Sequence, residues 1–170
     1  MQSMQEQAEH IKEITLTRLI DAPPERVWRA WSEPELIRCW WGPDYFTSPS
    51  CKMDFREGGK ALVCMHGPAG TEWDKDLFNT WTYKKIVPVE LIQFLQNPSD
   101  KDGNAMDPIS LGLRADFPLD VRTEVTLRPA GDKTEMTVTE HGFPAGEMLT
   151  QAEMGLSQTL DKLVQAIAES

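Results

Sequence analysis

The sequence lacks a long apolar run and a secretory leader. No stretch of about 18 apolar residues occurs, so we expect no membrane-spanning helix. The first ten residues are polar and contain no apolar core of the kind that a signal peptide needs. We therefore expect a cytoplasmic protein.

Cysteine is scarce as well. The three cysteines, Cys39, Cys51 and Cys64, form an odd count without a CxxC pair or the spacing of a zinc site. Cys51 and Cys64 fall on segments that are predicted to face each other in one hairpin, so either a cross-strand disulfide or buried free thiols fit. The reducing compartment predicted above favours free thiols. We expect no metal and no cofactor.

Acidic residues outnumber basic residues in this chain. The chain has 17 Lys and Arg against 27 Asp and Glu, a formal net charge of −10. Nucleic acid and anionic membrane surfaces both require a basic face, so neither is an expected partner. The 40% hydrophobic content excludes a disordered chain. At 170 residues we expect a polar tail over 1–11 and a single domain over 12–170, which is a monomer or a homodimer.

Tyrosine is rare but tryptophan is not. Two Tyr stand against six Trp, at positions 28, 31, 40, 41, 73 and 81. Positions 28 to 41 fall in a region with helix signals, where Pro24 and Glu25 suit a first turn and Gly42-Pro43 ends the pattern. The pair Trp40-Trp41 could gate a pocket or dock a partner, although packing beneath two short helices is favoured.

Alternating apolar and polar residues predict strands on either side of these helices. Residues 14–20 form the first strand, and 34–39 form the second of the two short helices. Later strands are predicted at 48–55, 60–66, 73–85 (with an irregularity near 77–79), 91–96, 121–127 and 134–140. Residues 97–116 are rich in Gly, Pro, Asp and Asn and are predicted to be a lid or an insertion without regular structure.

The chain ends in a predicted helix over 145–168. Its apolar residues recur every three or four positions and make one stripe, which needs an apolar surface to lie on. The inner face of a curved antiparallel sheet is the available surface, so the fold class is α+β. A gap between sheet and helix would then be lined by Phe55, Met65, Trp73, Trp81, Tyr83, Phe94, Val125, Met136 and Val138, opposite Leu156 and Leu160. Large aromatics and flexible Met suit an apolar guest.

Glu140 is the polar residue of most interest. It lies in phase with Met136 and Val138 and would place a carboxylate at the end of the gap. Such a group could bind a polar head group or act as an acid or base, while the alternative is that it takes backbone hydrogen bonds or pairs with an Arg at the end of the sheet. The structural role is favoured for Glu140 and for its neighbour His141. For His66 with Cys64, structural packing is likewise favoured over a nucleophile or ligand pair. No catalytic residue is assigned.

Several motifs resemble a known superfamily. They are DAP at 21–23 with VWRAW at 27–31, WWGP at 40–43, DFREGG at 54–59, YKKIVP at 83–88, DKDGN at 100–104, TEMTVTEHGF at 134–143 and GLSQTLDKL at 155–163. In this order they resemble the START-like (SRPBCC) superfamily of the major birch-pollen allergen. Within it they resemble the group named after the C-terminal domain of the activator of heat-shock protein ninety ATPase, many of whose members are bacterial.

The resemblance implies a helix-grip fold, in which six to seven antiparallel strands curve around a long C-terminal helix. It places Trp81 where many members have Gly, and Leu156 where many have Trp. The residues and the resemblance together predict non-catalytic binding of a small hydrophobic or amphipathic ligand. Two alternatives follow from the resemblance. One is a chaperone or stress-response accessory that acts through protein contacts, and the other is a cyclase- or hydrolase-like enzyme.

Overall fold

The computed structural model describes residues 11–170. The predicted polar tail lies outside this range except for Ile11, with which the first strand begins. Strand β1 (Ile11–Ile20) is followed by helices α1 (Pro24–Ser32) and α2 (Pro34–Ile37). The remaining elements are β2 (Cys51–Met53), β3 (Lys60–His66), β4 (Asp76–Val87), β5 (Leu91–Ser99), β6 (Val121–Ala130), β7 (Lys133–Pro144) and α3 (Glu147–Glu169).

The seven strands form one antiparallel sheet. Their order is β1-β7-β6-β5-β4-β3-β2. Strands that are adjacent in the sheet are therefore also consecutive in the sequence, except that β1 pairs with β7. The sheet curves around α3, and the two short helices fill the connection between β1 and β2. The predicted α+β helix-grip fold is confirmed.

Several strand boundaries differ from the predictions, and so does the position of one irregularity. β2 is only three residues long, and β4 begins at Asp76 rather than at Trp73. The pairing of β4 is regular around residues 77–79, and its irregularity lies between Tyr83 and Lys85 instead. β5 continues to Ser99, because Asn79 and Phe78 of β4 extend the ladder along it. Alternation in the sequence shows which face a residue takes, but it does not locate the end of a ladder.

Four tryptophans organise the core beneath the sheet. The rings of Trp31 and Trp40 meet edge-to-face at 4.7 Å between centroids. Trp81 is fully buried and stacks on Phe94 at 4.7 Å. Trp40 donates its indole N–H to the carbonyl of Ala30 at 3.0 Å, which anchors α1 to the residues that follow α2. Trp28, the fourth, packs on Phe55 at the core's edge. The packing role that the sequence favours for the Trp40-Trp41 pair is seen in Trp40, which is 1% exposed.

The segment between β5 and β6 is more ordered than its composition predicts. A short 3-10 helix spans Pro108–Leu111, and the Asp107 side chain accepts a hydrogen bond from the backbone of Ile109 at its start. Arg114 pairs with Asp116 at 2.9 Å and with Glu147 of α3 at 3.0 Å. The segment is thereby fastened against the beginning of α3.

The three cysteines carry free thiols. Cys51 lies opposite Val63 in the ladder, so Cys64 points to the other face of the sheet and no cross-strand bridge forms. Within residues 11–170, no helix combines the length and the apolar character that crossing a membrane requires.

Candidate functional site

A cavity of about 280 Å³ lies between the sheet and the N-terminal half of α3. Four parts of the chain form its wall. The sheet contributes residues from β3 to β7, helix α3 contributes one stripe, the β5–β6 segment closes one side, and the loop after α2 closes the other. Most of these lining side chains are apolar, among them Leu77, Leu113, Phe117, Phe143 and Met148.

Helix α3 has two different environments along one stripe. Its C-terminal half packs into the core through Leu160, Leu163 and Ile167. Its N-terminal half covers the cavity instead, with Gly155 and Leu156 in the wall. A Cβ atom added to Gly155 would meet nothing within 4 Å. Part of the cavity is therefore the space beside Gly155, where the helix has no side chain.

Three of the twelve predicted binding residues lie in the cavity wall. They are Met65 from β3, Glu140 from β7 and Leu156 from α3. Eight others pack in or against the core and do not line the cavity, so the predicted lining is corrected at these positions: Phe55, Trp81, Tyr83, Phe94, Val125, Met136, Val138 and Leu160. The physical reason is that their rings and branched chains fill the space between one another, as Phe55 and Tyr83 do at 5.1 Å.

Trp73 is the twelfth, and its predicted position on an inward strand face is also corrected. It lies in the loop before β4, where its carbonyl accepts from the backbone of Gly67 at 2.8 Å. Its ring is covered by the Lys75 ammonium at 5.6 Å. The neighbouring acidic residues hold this loop in place. Asp74 and Asp76 each form a hydrogen bond of 2.8 Å with the imidazole of His66, and these bonds fix the turn outside the sheet.

Trp41 is a wall residue, although packing is the favoured interpretation of the Trp40-Trp41 pair and a place at a pocket only the alternative. The WWGP run indicates packing around the short helices, and one ring of the pair does pack there. The other ring, that of Trp41, faces the cavity and touches Trp81 edge-on. Phe117 and Leu113 are missed for a different reason, since they lie in a segment whose polar composition conceals its apolar positions. Their signal is the presence of isolated large apolar residues in that segment.

Glu140 belongs to a short polar network in the wall, and Gln96 is the central member of that network. Glu140 is 8% exposed, and its Oε2 accepts a hydrogen bond from Gln96 Nε2 at 2.6 Å. The same amide nitrogen also reaches Thr123 Oγ1 at 2.8 Å. Asn79 Nδ2 completes the chain by donating to Gln96 Oε1 at 2.7 Å. Within residues 11–170, neither predicted structural partner of Glu140, a backbone N–H or an Arg, is seen, because the side chain of Gln96 takes that position.

The electrostatic state of Glu140 follows from its surroundings. Burial raises the pKa of this carboxyl from an ordinary 4.5 to about 7. The hydrogen bond from Gln96 lowers the pKa, but by less than burial raises it. Among the described residues of the wall there is no Lys, Arg or His that would offset the charge. Its neighbour His141 faces β1, with Nδ1 3.8 Å from Glu13 Oε2, and not the cavity.

Lys162 holds the loop after α2 against α3. Its ammonium donates to three backbone carbonyls, those of Gly42 at 3.0 Å, Pro43 at 3.3 Å and Phe46 at 3.0 Å. Partial burial lowers the pKa of this lysine. Because Trp41, Gly42 and Pro43 belong to the cavity wall, this lysine fixes one side of the cavity to the helix.

Comparison with known proteins agrees with this architecture. A family model described as "Activator of Hsp90 ATPase homolog 1-like protein" matches residues 21–168. No curated protein matches the chain.

Among solved structures, a protein from Chromobacterium violaceum is 25% identical, with a TM-score of 0.71 over 91% of this chain and 96% of that one. A protein from Arthrobacter aurescens is 24% identical, with a TM-score of 0.72 over 93% and 87% of the two chains. An AHSA1-like protein from Aeromonas hydrophila is 16% identical, with a TM-score of 0.69 over 93% of each. These similarities show a shared fold.

Proposed function

The chain belongs to the activator of Hsp90 ATPase homologue 1-like family, and on that premise we propose that it binds a small hydrophobic or amphipathic molecule without altering it chemically. The binding site is the cavity between the sheet and α3. One observation carries the proposal. A folded domain packs its interior densely, yet here a space of about 280 Å³ is bounded by mostly apolar side chains from four parts of the chain.

The size of the driving force is adequate for such a role. A guest that buries roughly 250 Å² of apolar surface gains about 6 kcal/mol at 25 cal/mol per Å². Immobilising the guest offsets part of this gain, which leaves an affinity of about 1 mM for a simple probe. Tighter binding requires polar contacts in addition to apolar burial.

Gly155 offers a direct test of the site. The Gly155→Leu variant places a branched side chain into the open space beside this glycine, whereas Gly155→Ala adds only a methyl group. We expect octanol, measured by isothermal titration calorimetry, to bind the wild type and Gly155→Ala but to lose about tenfold or more in affinity for Gly155→Leu. A second measurement is native mass spectrometry of freshly purified protein. A natural guest should remain bound to the wild type and Gly155→Ala and be lost from Gly155→Leu.

The folded state of each variant is checked by its thermal midpoint before binding is measured. Equal octanol affinity in Gly155→Leu and Gly155→Ala, with both folded, would place the guest elsewhere and contradict the proposal. Absence of binding to the wild type by octanol and by charged amphiphiles of the same chain length would contradict it as well.

A further inference from the structure

The polar network in the cavity wall contains hydrogen-bond acceptors that have no donor in the described part of the chain. Glu140 presents two oxygens, and only Oε2 accepts a hydrogen bond from residues 11–170. Because Gln96 donates its Nε2 to that oxygen, its Oε1 must face Asn79, which then donates with Nδ2. Asn79 Oδ1 is left buried without a donor. Glu140 Oε1 and Asn79 Oδ1 are therefore the network's oxygens without a donor among residues 11–170.

Within the described chain, the carboxylate of Glu140 also has no cationic side chain beside it in the cavity wall. Glu140 is the one ionisable side chain among the described residues of the cavity wall, and it is more than nine-tenths buried. A buried carboxylate without a cationic partner is costly, so a structure tends to supply a counter-charge or to keep the group protonated. No side chain here supplies one, and Gln96 contributes only a neutral amide.

We propose that the cavity selects an amphipathic amine, whose protonated nitrogen donates to Glu140 Oε1 while its hydrocarbon part occupies the apolar walls. This inference rests on the proposed function, since it uses the same cavity. An ammonium group supplies the donor that Glu140 Oε1 lacks, and it neutralises the buried charge. An alcohol supplies one donor and no charge, and a fatty acid would bring a second carboxylate beside Glu140.

The experiment compares three probes of equal chain length, octylamine, octanol and octanoate, by isothermal titration calorimetry at about pH 8, where Glu140 is ionised and the amine is still protonated. The proteins are the wild type, Glu140→Gln and Glu135→Gln. Glu140→Gln keeps the side-chain shape and removes the charge. Glu135 lies on the same strand with half-buried exposure outside the cavity, so Glu135→Gln is the matched control.

In the wild type and Glu135→Gln we expect octylamine to bind about tenfold or more tightly than octanol, and octanoate to bind most weakly. In Glu140→Gln we expect that preference to fall to threefold or less, with octanol affinity nearly unchanged. If octanol binds the wild type but octylamine binds no tighter, or if the preference survives in Glu140→Gln, the amine assignment is overturned while the cavity's binding role stands. If none of the probes binds, both proposals fail.

Discussion

Trp41 lies edge-on against Trp81, with 5.0 Å between the ring centroids. Trp81 is fully buried and belongs to the core, whereas Trp41 faces the cavity. The two indoles thus mark the boundary between densely packed interior and open space. Aromatic side chains on one side of this boundary stabilise the fold, and those on the other side are available to a guest.

Replacing Trp81 with Ala should therefore reduce stability without creating a specific binding defect. We expect a loss of about 3–5 kcal/mol in the free energy of unfolding, since the indole packs against Trp31, Trp41 and Phe94. Trp81→Phe should cost less, because the indole N–H has no hydrogen-bond partner to lose. Urea titrations of both variants measure the difference, and a loss below about 1 kcal/mol for Trp81→Ala would contradict the core assignment.

Gly155→Ala should stabilise the protein. Gly155 is helical and its added Cβ would meet no atom within 4 Å, so the change gains helix propensity of about 0.5–1 kcal/mol. Gly146 is the matched control, since it also has open space but a φ of +106° at the start of α3. Gly146→Ala should destabilise, and thermal unfolding of the two variants side by side should show shifts of opposite sign.

The raised pKa of Glu140 makes stability depend on pH. The folded state binds the proton more tightly than the unfolded chain, whose carboxyl has the ordinary pKa of 4.5. Stability is therefore highest below pH 4.5 as far as this group is concerned, and it falls as pH rises to about 7, by on the order of 3 kcal/mol. Glu140→Gln should remove that fall.

Unfolding free energies at about pH 5 and pH 8.5 measure this effect, because they lie on either side of the folded-state value. Relative to the wild type, Glu140→Gln should become more stable at the higher pH. Parallel pH profiles for the two proteins would show that the Glu140 carboxyl titrates normally.

Lys162→Met should loosen the loop after α2. The substitution keeps much of the side-chain volume but leaves the carbonyls of Gly42, Pro43 and Phe46 without their donor. We expect a stability loss of about 1–3 kcal/mol and faster amide hydrogen exchange at Phe46. Lys84→Met, at an exposed position of β4, is the control and should change neither quantity. Unchanged exchange at Phe46 in Lys162→Met would show that the ammonium does not hold the loop.

His66 should titrate above its ordinary pKa. Hydrogen bonds that the imidazole N–H groups donate to Asp76 and Asp74 raise the pKa of this partly exposed side chain. A raised folded-state pKa means that the charged form stabilises the turn below the unfolded value of about 6.5, and that this contribution is lost as pH rises through the folded value. An NMR titration of the imidazole tests this, and Asp76→Asn should move its midpoint back toward the ordinary value.

The sequence predicts the fold well because the fold depends on periodicity. Alternation at 121–127 and 134–140 and the stripe of α3 correctly indicate a sheet with a long helix across it. The inward position of Glu140 follows from the same alternation, and the structure places it in the cavity wall.

The location of the cavity depends on something that periodicity does not contain. Phe94 and Gln96 lie two residues apart on one face of β5, yet Phe94 stacks in the core and Gln96 lines the cavity. Alternation assigns both residues inward and cannot separate them. The distinction arises from the side chains brought by other elements, such as Trp31 beneath Phe94 and Gly155 on the cavity side of α3.

The pairing of β1 with β7 has a consequence for how the chain reaches this structure. Thr17 lies opposite Thr137, so among the strands of residues 11–170 the first pairs with the last. During synthesis β1 must wait, unpaired, until β7 has left the ribosome, and closing so long a loop is the slow kind of step in folding. The apolar face of β1 is an aggregation hazard during that interval, and rapid docking of α1 and α2 beside it would shorten the exposure.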